Sequence, residues 1–156
     1  MAKRISVIIA MLTIFTATGC ATAPKSAQSG EYSVITAYVQ AYNDRDIPAM
    51  SALMHPKIQW LSIEGSKTVI VADGKADLVK QMSEYVSSPS ATTSELASPV
   101  FNGQFIAVKE TARWKRANGS VGQQSALSVY QIDKGLVRRV WYYPSERAAE
   151  TATKNK

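Results

Sequence analysis

The chain has 156 residues, 46% hydrophobic and 19% charged, a length and balance that suit one globular domain and exclude a disordered or fibrous class. A single cysteine, Cys20, and a single histidine, His55, exclude an internal disulfide, a CxxC redox pair, a cysteine-rich zinc site and the HExxH pattern, so no metal site is expected. The formal net charge is +6, but the basic residues are scattered, with short clusters at Arg113–Arg116 and Arg138–Arg139, and a nucleic-acid binder needs a concentrated basic face.

In chain order, Lys3 and Arg4 open a run from Ile5 to Thr18 that is almost entirely apolar or small, closed by Ala17-Thr18-Gly19-Cys20. A basic start, an apolar stretch of about 7–15 residues and small residues before a cut site describe a secretory signal. A spanning helix needs about 20 apolar residues. Ala-Thr-Gly-Cys resembles the bacterial lipobox, with Ala where Leu is more usual. The resemblance implies a signal peptide over residues 1–19, lipid on Cys20 and the membrane as partner. Ala21 in the second mature position resembles the outer-membrane sorting pattern, facing the periplasm. A soluble secreted chain with an incidental cysteine is the alternative. Export also argues against nucleic acid as a partner.

Residues 20–30 are small and polar and read as a flexible tether. Residues 31–144 form the expected domain, and residues 145–156 a polar, frayed tail. Val34, Tyr38 and Tyr42, with Ile35 and Val39 beside them, recur at helical spacing. Asp46 can cap a second helix from Ile47 to Met54, with Pro48 in its first turn and His55-Pro56 ending it. Ile58–Ile63 and Lys67–Ala72 read as strands around a Gly65-Ser66 turn. Asp73-Gly74 leads into a third helix that buries Leu78, Val79, Met82, Tyr85 and Val86. Four strands follow, Thr93–Phe101, Phe105–Arg116, Gln123–Ile132 and Leu136–Tyr143, with hairpin turns at Asn118-Gly119 and Lys134-Gly135. Asn118-Gly119-Ser120 is read as turn chemistry rather than a glycosylation site. Helices and short strands before an antiparallel meander imply an α+β fold, with helices packed on one face of a sheet.

Tyr38-Val-Gln-Ala-Tyr-Asn-Asp-Arg-Asp46 with Ile47-Pro-Ala-Met-Ser-Ala-Leu-Met54 resembles the opening helix pair of the NTF2-like superfamily, in its SnoaL-like branch. The segment from Tyr130 to Tyr143 resembles that branch's last hairpin. The resemblance implies a cone, in which N-terminal helices pack on a strongly curved antiparallel or mixed sheet that wraps a pocket. The superfamily includes isomerases, dehydratases, cyclases, epoxide hydrolases and binding domains, so the site must carry the functional argument.

Strand alternation groups Ile106, Val108, Glu110, Ala112 and Trp114 on one face, Gln124, Ala126, Ser128 and Tyr130 on another, and Arg139, Trp141 and Tyr143 on a third. The family pattern turns all three sets inward and adds Tyr38, Trp60 and Ser62. Ketosteroid isomerases, members of that superfamily, need a carboxylate base and an oxyanion hole made by a Tyr and a protonated Asp. The resemblance places Tyr38 at the oxyanion-hole Tyr, Ser62 at the base and Ser128 at the second donor. A serine cannot replace a carboxylate base at neutral pH, which argues against that mechanism. Dehydratases of the superfamily use inward histidines, whereas His55 is expected in the surface turn after the second helix.

Glu110, flanked by Val108 and Ala112, is the candidate catalytic residue, since a desolvated carboxylate must be paired or protonated and can act as a general base. Three roles stay open: a structural ion pair with Arg139, a ligand contact, or catalysis. Glu64 is a second acid near the rim, read as a solvated turn residue. Trp60, Trp114, Tyr130, Trp141 and Tyr143 are core or core plus pocket, with Trp141 expected to be buried. Three functional readings result: an anchored domain binding a small apolar or amphipathic molecule, an acid–base enzyme on a small apolar substrate with Glu110 as base, and an interaction module dimerising through the sheet. None requires a cofactor.

Overall fold

Ile35, Tyr38, Val39 and Ala41 are all buried, which is the stripe that a 3.6-residue period presents to a core. The structure, a computed structural model, describes residues 25–88 and 91–147. The helix bearing this stripe, α1, runs Lys25–Asn43. The segment expected as a tether is therefore helical from Lys25 onwards. A polar stretch that extends an already nucleated helix adds a hydrogen bond per residue without a nucleation cost. The signal segment and Cys20 lie outside the described residues.

Arg45 takes a left-handed turn, with φ 62°, and Asp46 then caps α2 (Ile47–Ala52), its Oδ1 accepting the Ala49 N–H at 2.9 Å. This helix ends two residues before the expected Met54. Met54 begins β1 (Met54–Glu64), so His55 lies on a strand, not in a turn. The His55 Nε2 sits 3.6 Å from Asp133 Oδ2. A hairpin leads to β2 (Lys67–Asp73), and α3 (Lys75–Val86) follows Gly74, burying Leu78 and Met82. Tyr85 and Val86 are not in its buried core.

The chain closes with β3 (Thr93–Asn102), β4 (Phe105–Lys115), β5 (Val121–Asp133), β6 (Leu136–Tyr142) and β7 (Glu146–Arg147). Hairpin residues Lys134 and Gly135 both have positive φ, the conformation a tight strand connection requires. Asn118 Oδ1 accepts both the backbone N–H and the hydroxyl of Ser120, which makes this segment a turn. The strand order is β2-β1-β6-β5-β4-β3, with only β1 and β6 parallel along it. The fold is α+β, helices followed by a curved mixed sheet. The expected tail is ordered at its start: β7 pairs with β5 through Gln124 and Ser125.

One irregularity decides which side chains reach the core. Gln131 pairs with Arg139, but Ile132 pairs with Val137, so Arg138 is an extra residue in β6. Such a bulge reverses the alternation beyond it. Val137 points inward before the bulge, and Val140 and Tyr142 do so after it.

Candidate functional site

Adjacent strands β4 and β5 align Glu110 with Ala126 and Ala112 with Gln124. The small alanines leave room that the helices do not fill. Tyr38, Val39 and Tyr42 of α1 close one side and Leu78, Met82 and Tyr85 of α3 another, with Trp60 and Tyr142 on the sheet. The cavity, partly open to solvent, has a volume of about 270 Å³ and a mainly apolar wall.

Glu110 is the acid in that wall and is only 8% exposed. The Tyr130 hydroxyl donates to its Oε2 at 2.9 Å, and lies 3.4 Å from the Tyr142 hydroxyl. The Tyr38 ring meets Tyr130 edge-on at 6.5 Å, and Trp60 meets Tyr142 edge-on at 5.3 Å. Burial, and after it the Glu110 charge, pushes the Tyr38, Tyr130 and Tyr142 phenols above their ordinary range. They therefore stay protonated and act as donors at neutral pH.

Also in the cavity wall, Thr92 ties two helices together. Its hydroxyl lies 2.9 Å from that of Tyr42 and accepts from that of Tyr85 at 3.2 Å, and the two rings stack. Burial pushes the Tyr42 phenol up to about 12, partly offset by its Thr92 hydrogen bond. For Tyr85 burial acts upward, but the Thr92 and Tyr42 hydrogen bonds outweigh it and bring the phenol below its usual range.

Of the residues expected to line the pocket, Tyr38, Trp60 and Glu110 do so. Val108, Ser128 and Tyr130 are fully buried beside it, and the Ser128 hydroxyl has no hydrogen-bond partner among the described residues. Trp114 packs over Gly122, where a Cβ would clash with the indole ring. Ser62 pairs with Tyr142 but does not line the cavity. Glu64, at the end of β1, is exposed.

The expected inward set on β6 is corrected by the bulge. Arg139 lies on the opposite face, where its guanidinium donates to Gln59 Oε1 at 2.8 Å and to Gln131 Oε1 at 3.1 Å. It does not pair with Glu110. Trp141 is half-buried against Phe105, and Tyr143 is 40% exposed. Tyr142 is the inward residue that strict alternation missed. Tyr42 and Tyr85 were legible as helix-face residues from their spacing, though only as core. His55 does not line the cavity, and among the described residues no three His, Cys, Asp or Glu side chains come together in a metal-binding group.

Several solved proteins share this architecture. TerC, co-crystallised with polyporic acid, is 18% identical, with a TM-score of 0.60 over 76% of this chain and 92% of its own. An NTF2-like protein of Cytophaga hutchinsonii is 21% identical, with a TM-score of 0.54 over 74% and 96%. An LEH-like epoxide hydrolase of M. tuberculosis is 11% identical, with a TM-score of 0.62 over 74% and 82%. At such identities the likeness concerns the fold. Among curated proteins none matches the chain. The model of the SnoaL-like domain matches residues 35–140, from the buried Ile35 of α1 to the buried Val140 of β6, and the chain belongs to that family.

Proposed function

We propose that this SnoaL-like domain binds a small, largely apolar molecule in the cavity under α1 and α3, and that lipid on Cys20 holds it at the membrane of the cell envelope. The observation that carries the binding reading is the cavity itself, apolar and aromatic around one buried carboxylate. A mostly apolar cleft with a few convergent polar groups is the common form of a small-molecule site. Ala112 and Ala126 keep it open, so filling one tests it. A thermal-shift screen of small apolar compounds should yield stabilising ligands for the native chain and none for Ala112→Phe. Equal responses from the two chains overturn the reading. The anchor rests on the Lys3–Cys20 sequence pattern. Cys20→Ser should abolish lipid labelling and release the chain from the membrane, and unchanged partitioning overturns the anchor alone.

A second reading, acid–base catalysis, has one observation in its favour. Glu110 Oε2 is engaged by Tyr130, while Oε1 has no hydrogen-bond partner among the described residues of this cavity-lining side chain. A carboxylate oxygen open to a bound molecule is placed to take a proton from it, with the neutral phenols of Tyr38 and Tyr142 near enough to donate. Under this reading Glu110→Gln binds the ligand and loses turnover.

A further inference from the structure

We propose that the cavity selects an organic ammonium ion, its N–H directed at the open oxygen of Glu110 and its charge spread over the surrounding aromatic rings. This rests on the binding reading above and names the chemistry of the ligand.

The charge inventory of the wall points this way. Among the described residues that line the cavity there is no Lys, Arg or His, and Glu110 is the one formal charge. A carboxylate this deeply buried is ordinarily matched by a cation. Arg139, the cation expected for it, is held on the other face of the sheet by Gln59 and Gln131. The Arg113–Glu95 ion pair and the His55–Asp133 contact, the charged neighbours found among the described residues, do not involve it. Tyr130 gives the carboxylate one hydrogen bond without neutralising it.

The remaining wall suits a cation for an independent reason. Tyr38, Tyr42, Trp60, Tyr85 and Tyr142 bring five rings to one cavity. The faces of such rings attract ammonium groups, most strongly where water is excluded, and Trp is the best of them. The alternatives fare worse. An anionic ligand meets Glu110 with no cation to offset it, and a neutral alcohol can donate to the open oxygen but leaves its charge unmatched.

The test is calorimetric titration of the full chain at neutral pH with 2-phenylethylammonium and with 2-phenylethanol, which have nearly the same shape. The ammonium should bind at least about tenfold tighter, the scale of one charge-assisted contact with an aromatic face. Glu110→Gln should bring the two probes within about threefold of each other. Trp60→Leu, which keeps the carboxylate, should weaken the ammonium more than the alcohol. If the alcohol binds as well as or better than the ammonium, the ammonium assignment falls while the binding cavity stands. A preference that survives in Glu110→Gln also overturns it. If neither probe nor any screened apolar compound binds the native chain, both readings fall together.

Discussion

Glu110 and Arg139 illustrate how much depends on the face a side chain takes. Both are charged and half or more buried, and they lie two strands apart, yet the sheet separates them. Arg139 donates to two glutamine carbonyls, and Glu110 accepts one hydrogen bond from a phenol. Their energies should therefore be independent. In a double-mutant cycle of Glu110→Gln and Arg139→Met, followed by urea unfolding, the coupling should stay below about 0.5 kcal/mol, as for sites without shared partners. A coupling above about 2 kcal/mol would restore the ion pair. Tyr130→Phe should be more costly, at about 1.5–3 kcal/mol, because it removes a hydrogen bond to a buried charged group. A loss near zero in the same unfolding assay would mean that Glu110 does not depend on this phenol.

Among the elements, the helices and the hairpins were the most legible in the sequence. Ile35, Tyr38, Val39 and Tyr42 declare a helix by spacing, Asp46 by its capping oxygen, and Lys134-Gly135 a turn by its backbone demands. The inward faces of β4 and β5 were legible too, because both strands pair without interruption from Phe105 to Lys115. The face of β6 was not, since nothing in Val137-Arg138-Arg139-Val140 marks the first arginine as the extra residue. A bulge is a property of two strands together. Tyr142 was thus missed and Arg139, Trp141 and Tyr143 misplaced, and with them the ion pair. The extra residue is itself testable. Arg138→Ala should cost no more than about 1 kcal/mol, and deleting Arg138 restores strict alternation while keeping Val137, Val140 and Tyr142 on the core side. The deletion should therefore retain a cooperative thermal transition seen by circular dichroism; loss of that transition would refute the bulge. Gly122 marks a second constraint between strands. Gly122→Ala pushes a Cβ into the Trp114 ring and should cost about 1–3 kcal/mol, a loss that Trp114→Ala in the same chain should largely remove.

At the scale of the whole molecule, the phenols around the cavity link its core to pH. Burial raises Tyr38, Tyr130 and Tyr142, and raises Tyr42 to about 12; Tyr85 alone among these is lowered. An unfolded tyrosine ionises near pH 10. Above that value the unfolded chain releases protons that the folded chain keeps, so the raised groups stabilise the fold fully below about pH 10 and progressively less above it. For Tyr42 the loss runs from about 10 to about 12. Tyr85 acts in the opposite direction, but it is one group against four. The fold should consequently fail on the alkaline side in a cooperative step, with the tyrosinate absorbance of the buried phenols appearing together with the loss of circular dichroism. Tyr38→Phe removes one raised group and should make the fall of the melting temperature above about pH 10 shallower. A melting temperature that stays level between about pH 9 and 12, or tyrosinate absorbance that completes before the structure is lost, would show that these phenols reach solvent in the folded chain.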